Sequence, residues 1–175
     1  MLENYRVYDA DSHLLLTPAM WEDLPDAFQH RRPRPIQVHD TDGMGKWSSG
    51  WLIDGRMQPH PYGPGAQGAN KPSEVMAEFG ATPEAGMFDL TDPQARVKGL
   101  DRAGIDFQIL FPTTLYATAT VDAAFEAALI RSYNRYVGRQ TKGVADRIKW
   151  AGLIPLRDPV QGVEAIGEMV DLGAT

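Results

Sequence analysis

Between Thr91 and the end of the chain the apolar positions change period repeatedly, and each change predicts an element. In TDPQARVKGLDRAG, the residues Ala95, Val97, Leu100 and Ala103 supply the buried surface of a helix. Thr91 or Asp92 can cap its start, Pro93 suits its first position, and Gly104 can end it. The run Phe107 to Phe111, stopped by Pro112, reads as a buried strand. A second helix follows from about Asp122 to Thr141, with Phe125, Ala128, Leu129, Ser132, Tyr133, Tyr136, Val137 and Gln140 on one stripe. RIKWAGLIP gives another strand, and a third helix runs from Asp158-Pro159 to a stop at Gly173. Strands alternating with helices imply parallel pairing through right-handed crossovers, with both strand faces covered.

The first elements follow a shorter period. Residues 5 to 13 read as a strand in which Val7, Asp9, Asp11 and His13 share one face and Tyr8, Ala10 and Ser12 the other. If this strand opens the parallel sheet, Asp11 and His13 stand at its C-terminal end, where open α/β sheets and (β/α) barrels carry their sites. A charge buried there costs several kcal/mol unless it is paired or bound to a metal.

Leu14 to Leu90 is less regular and reads as a long insertion, a lid over the site. PAMWEDLPDAFQ suggests short helical turns, and WSSGWLIDG a hairpin with Asp54-Gly55 in its turn. The Pro/Gly-dense stretch Gln58 to Pro72 reads as irregular loop. There is no internal repeat beyond the strand-helix alternation.

Composition narrows the classes. The 175 residues, 43% hydrophobic and 23% charged, are those of one globular domain. A formal net charge of -6 and the lack of a basic patch interleaved with aromatics argue against nucleic-acid binding. With no cysteine there is no disulfide framework and no thiolate ligand, so a metal would need histidine and carboxylates. The polar, acidic start MLENYRVYDA is unlike a signal peptide, and no stretch approaches the roughly 18 apolar residues of a membrane span. A cytoplasmic protein is expected.

Asp-x-His at the end of a first strand, then TPAMW, WLIDG, TDPQARVKGLDRAGID, LFPT, SYN and PLRDP, resembles the amidohydrolase-related metalloenzymes, in the branch that includes aminocarboxymuconate-semialdehyde decarboxylase. The likeness covers nearly the whole chain. It implies an α/β fold, the N-terminal portion of a (β/α)8 barrel with a long insertion after strand 1. Such a barrel has eight strands in about 250 residues, so these three strand-helix units are expected to be the front of something larger, stopping before strand 4. The resemblance makes Asp11 and His13 the first two ligands of a divalent metal. Zinc is the usual ion, and the aspartate in place of the family's first histidine also suits manganese or iron. Asp9 matches a further acidic position that orients a ligand. The family's remaining ligands have no counterpart here. The implied activity is metal-dependent, either non-oxidative decarboxylation or hydrolysis of a small, aromatic or unsaturated, carboxylic acid.

Other residues carry weaker readings. His30, His39 and His60 fall in the insertion, and His60 is the one best placed to approach substrate. Thr113 or Thr114 could contact substrate, against the simpler reading of a turn. Trp21 and Trp51 suit the core with their indole N–H groups satisfied. Tyr133, Asn134 and Tyr136 should pack, and Arg96, Arg102, Arg131 and Arg135 look like helix-surface charges. Two alternatives stay open. DADS after a strand also resembles the nucleophile loop of haloacid-dehalogenase-type phosphatases, with Asp9 attacking phosphorus and Asp11 as acid or base. The chain could otherwise be a non-catalytic half-barrel interaction module. The expected partners of the enzyme are a small-molecule substrate and further copies of itself in a homo-oligomer, with no nucleic acid and no membrane.

Overall fold

The computed structural model describes residues 5–37, 49–59, 84–113, 115 and 120–175. In chain order it has β1 (Tyr8–Leu14), 3-10 turns at Pro18–Trp21 and Asp26–Arg31, β2 (Arg34–Gln37), β3 (Ser49–Ile53) and β4 (Arg56–Pro59). These are followed by α1 (Pro93–Ala103), β5 (Phe107–Pro112), α2 (Ala123–Thr141), β6 (Ile148–Trp150) and α3 (Pro159–Asp171).

Each helix begins on an aspartate. Asp92 accepts from the Gln94 and Ala95 amides, Asp122 from Ala124 and Phe125, and Asp158 from Gln161, so backbone donors left over at each N-terminus are satisfied. Gly104 closes α1 in the left-handed conformation, φ 70°, which glycine adopts without strain.

β1, β5 and β6 pair in parallel in that order. Each successive strand adds to the same side, the progression of a barrel wall rather than of a doubly wound sheet whose order reverses. Gln108 and Leu110 of β5 and Ile148 and Trp150 of β6 are buried. Strand alternation therefore turns Ile109, Phe111 and Lys149 to the opposite face, where Phe111 is exposed.

The strict alternation expected of β1 fails at one point. Asp9 pairs with Gln108 and Ser12 with Leu110, so three steps along β1 match two along β5. This bulge at Ala10 and Asp11 changes the phase. Asp9 joins the side of Ser12 and Gln108, while Asp11 and His13 lie on the other. The three ionisable groups are therefore split, not arrayed on one face.

The region 14–90 contributes several of its described residues to the core. Leu16, Met20, Trp21, Leu24, Trp51 and Ile53 are buried in one cluster with Leu110, Tyr133 and Trp150. The Asp54-Gly55 turn is as expected, with φ of 49° and 75° between β3 and β4. β2, not anticipated, pairs antiparallel with β3 and completes a three-stranded sheet. Trp21 and Trp51 meet edge to face, ring centroids 6.4 Å apart. The Trp21 indole N–H is buried without an acceptor among the described residues, against expectation. The expected lid loop, Gln58 to Pro72, falls outside the described residues from His60 onward. Among the described residues no helix is long and apolar enough to cross a membrane.

Candidate metal centre

His13 is paired across the sheet with Phe111, one residue short of the end of β1. Its Nε2 lies 3.6 Å from Asp11 Oδ1, and the two side chains are 42% and 94% exposed. That separation is too long for a hydrogen bond. It suits two donors sharing one ion: with metal–oxygen and metal–nitrogen distances near 2.1 Å, tetrahedral donors lie about 3.4 Å apart. A hard carboxylate with an imidazole is compatible with zinc, manganese or iron. Among the described residues no group of three or more His, Cys, Asp or Glu side chains converges on one point.

Behind this pair lies a polar network that is buried at Arg96 and Gln108 and reaches the surface at Asp11. Asp9 Oδ1 accepts from the Asp11 amide at 3.1 Å, and Asp9 Oδ2 from Gln108 Nε2 at 2.9 Å. Gln108 Oε1 accepts from Arg96 Nε at 2.6 Å. The Arg96 guanidinium also donates to the Met87 carbonyl (3.1 Å), Ser12 Oγ (2.9 Å) and the His13 carbonyl (3.1 Å). Arg96 is only 5% exposed, which corrects its reading as a surface charge. Burial lowers its pKa to about 10, opposed by the negative charge of Asp9, so it remains a cation at neutral pH. By contrast Arg102, Arg131 and Arg135 do pair at the surface, with Glu84, Glu164 and Glu168.

Arg96 and Gln108 were missed by sequence reasoning, although a signal existed. Arg96 lies three and four positions before Gly99 and Leu100, both buried, and so shares the inward stripe of α1. Gln108 alternates with Leu110 on the covered face of β5.

Thr113 is buried and its hydroxyl donates to the Leu14 carbonyl at 2.6 Å, tying the ends of β1 and β5 together. This is the turn role, and it commits the hydroxyl proton. His60, His39 and Thr114 lie outside the described residues. Lys149, also unanticipated, shares the open face with Phe111 and pairs with Ile109, opposite the bulge. The phosphatase alternative is disfavoured, because the β1 bulge puts Asp9, its nucleophile, and Asp11, its acid or base, on opposite sides of the strand.

The chain matches no protein-family model and no curated protein sequence. Solved structures do match. Amidohydrolase map2389c from Mycobacterium avium subsp. paratuberculosis K-10 superposes with a TM-score of 0.69 at 19% identity, over 98% of this chain and 48% of that one. A 2,6-dihydroxybenzoate decarboxylase from Rhizobium gives 0.48 at 17% identity, over 97% of this chain and 36% of that one. A dihydroxybenzoic acid decarboxylase from Polaromonas sp. JS666, with bound manganese and 2-nitroresorcinol, gives 0.49 at 14% identity, again over 97% and 36%. The chain thus spans less than half the length of these proteins. At such identities the first of these matches speaks to fold, and it bears out the resemblance read from the sequence at that level: this chain has the α/β fold of the N-terminal part of an amidohydrolase (β/α)8 barrel.

Proposed function

We propose that this chain is the N-terminal part of a metal-dependent enzyme of the amidohydrolase type, acting on a small aromatic or unsaturated carboxylic acid by non-oxidative decarboxylation or by hydrolysis. One observation carries the reading: a carboxylate and an imidazole stand 3.6 Å apart near the C-terminal end of the first parallel strand. That is the end at which barrels of this kind perform chemistry.

Asp11 and His13 hold the ion. When bound, a divalent cation supplies Lewis-acid polarisation of a carboxylate or of water. The chain's own residues do the rest of the work assigned here. Asp9 fixes the Asp11 main chain, Arg96 fixes that of His13, and Thr113 pins the strand ends. Phe111 and Ile109 offer an apolar surface to a planar substrate. The Lys149 ammonium, on the same face, complements a carboxylate. Decarboxylation is the reaction that the sequence resemblance favours.

Metal analysis after exhaustive dialysis of the full-length protein, with a screen of aromatic and unsaturated carboxylic acids, tests the proposal. Near-stoichiometric metal and turnover, both lost in His13→Ala and Asp11→Ala, are expected. Metal content and turnover untouched by both substitutions would overturn it. The 175 residues alone should bind metal weakly and turn over nothing, because a catalytic zinc site generally keeps three protein ligands.

A further inference from the structure

We infer that Arg96 and Gln108 are positioning residues of the Asp11–His13 pair, acting through Asp9 on one side and through the His13 main chain on the other; this rests on the metal-centre reading above. A buried guanidinium is costly, and a well-packed apolar side chain at the same place is often as stable or more so. Among the described residues Arg96 has no carboxylate in direct contact, and its hydrogen bonds there go to Gln108, the Met87 carbonyl, Ser12 and the His13 carbonyl. The Asp9 carboxylate, whose charge opposes the effect of burial on Arg96, is reached through the Gln108 amide.

Followed outward, the network ends on both members of the pair. One branch is direct, from Arg96 Nη2 to the His13 carbonyl at 3.1 Å. The other runs from Arg96 through Gln108 and Asp9 to the Asp11 amide. Asp11 lies in the bulge of β1, where the ladder to β5 is interrupted. A bulge re-aims a side chain, and something must hold it in that geometry. Asp9 Oδ1 does so by accepting the Asp11 N–H, and Gln108 orients Asp9. Gln108 is the switch point, because its amide accepts from the cation and donates to the carboxylate.

Gln108→Glu therefore discriminates. It keeps an acceptor for Arg96 but sets a carboxylate against Asp9 where an N–H donated. Gln108→Leu removes both contacts. Arg96 itself is a poorer probe, since its loss strips bonds from several groups at once and confounds binding with folding. The measurement is Mn2+ affinity of the full-length protein by titration, normalised to folded protein, alongside apo-protein melting. Met169→Ala, in the core on α3, serves as a destabilised reference outside the network, and His13→Ala as the reference for the site. Both Gln108 variants should bind Mn2+ about 10–100-fold more weakly, as removing a group that orients a ligand typically does. Met169→Ala should melt earlier with affinity unchanged. Gln108 variants that bind as the wild type does, while His13→Ala does not, would overturn the positioning role and leave the metal centre standing. Wild-type binding no tighter than that of His13→Ala would overturn the metal centre and this inference with it.

Discussion

Arg31 Nη1 donates to Asp122 Oδ2 at 2.6 Å, joining the last residue of the second 3-10 turn to the N-cap of α2 across 91 positions of sequence. The same guanidinium donates to Asp54 Oδ1 from Nη2 (2.7 Å) and Nε (3.1 Å), in the turn of the β3–β4 hairpin. Its Cζ lies 4.0 Å from the Phe125 ring centroid. One planar side chain thus binds three elements, which a lysine ammonium cannot reproduce. Arg31→Ala should cost about 2 kcal/mol, from the charge-assisted hydrogen bonds and the ring contact. Arg31→Lys should recover less than half of that. Urea midpoints with an unchanged m-value are the check; a midpoint shift that, multiplied by m, amounts to less than a few tenths of a kcal/mol would show that the cluster is an incidental surface arrangement.

The cluster also makes a pH dependence. The Thr120 hydroxyl and then Arg31 hold the Asp54 carboxyl below the ordinary carboxylate range, and Arg31 with the Phe125 amide does the same for Asp122. A carboxyl with a depressed folded value stabilises the protein above its unfolded value and loses that contribution as pH falls through the folded one. Below about pH 4 the wild type should therefore lose stability faster than Arg31→Ala. Melting temperatures measured from neutral pH to about pH 2.5 test it, and parallel curves for the two proteins would contradict it.

The parts of this fold that were legible in the sequence are those with a local cause. The three Asp-Pro or Asp caps, the left-handed Gly104 and the Asp54-Gly55 turn each follow from one or two residues, and all formed where expected. β2 was hidden because Pro33 and Pro35 argue against a strand; it survives as an edge strand, where a missing donor is tolerated. The β1 bulge was hidden because alternation assumes a regular ladder, and a single inserted residue moved Asp9 to the covered face. Arg96 was misplaced because charge outweighed its position on the inward stripe of α1. The Asp11–His13 pair was legible from spacing and resemblance together, whereas its supporting network depends on contacts 83 to 99 residues apart.

Two glycines in the helices should respond to alanine with opposite signs. A Cβ on Gly138, within α2, would stand 2.8 Å from Leu172 Cβ and 3.2 Å from its carbonyl oxygen. The end of α3 packs there, so Gly138→Ala should destabilise by about 1–3 kcal/mol despite alanine's helix propensity. Gly167, on the exposed side of α3, meets nothing within 4 Å. Gly167→Ala should stabilise by up to about 1 kcal/mol. Denaturant titration of both variants measures the pair of signs, and a stabilised Gly138→Ala would mean that the α2–α3 contact is looser than described.

The outer face of α3 leads to the last prediction. Val160, Val163 and Val170 are 71%, 72% and 70% exposed and Ile166 is 46% exposed. Their spacing of three and four places them along one side of the helix, a contiguous apolar stripe of the kind that soluble proteins rarely leave uncovered. In the 175-residue chain on its own, a second copy can cover it by the same stripe. Burying a valine contributes about 1.5 kcal/mol, so three of them on each side are enough to move a dissociation constant by at least about a thousandfold. Sedimentation velocity of the 175-residue chain should show concentration-dependent association. Val160→Glu with Val163→Glu should abolish it while leaving the helical circular dichroism intact, since neither side chain contributes to the core. Association that persists undiminished in the double variant would move the contact to another surface, the open edges of the parallel sheet at β1 and β6 being the next to test by substitution.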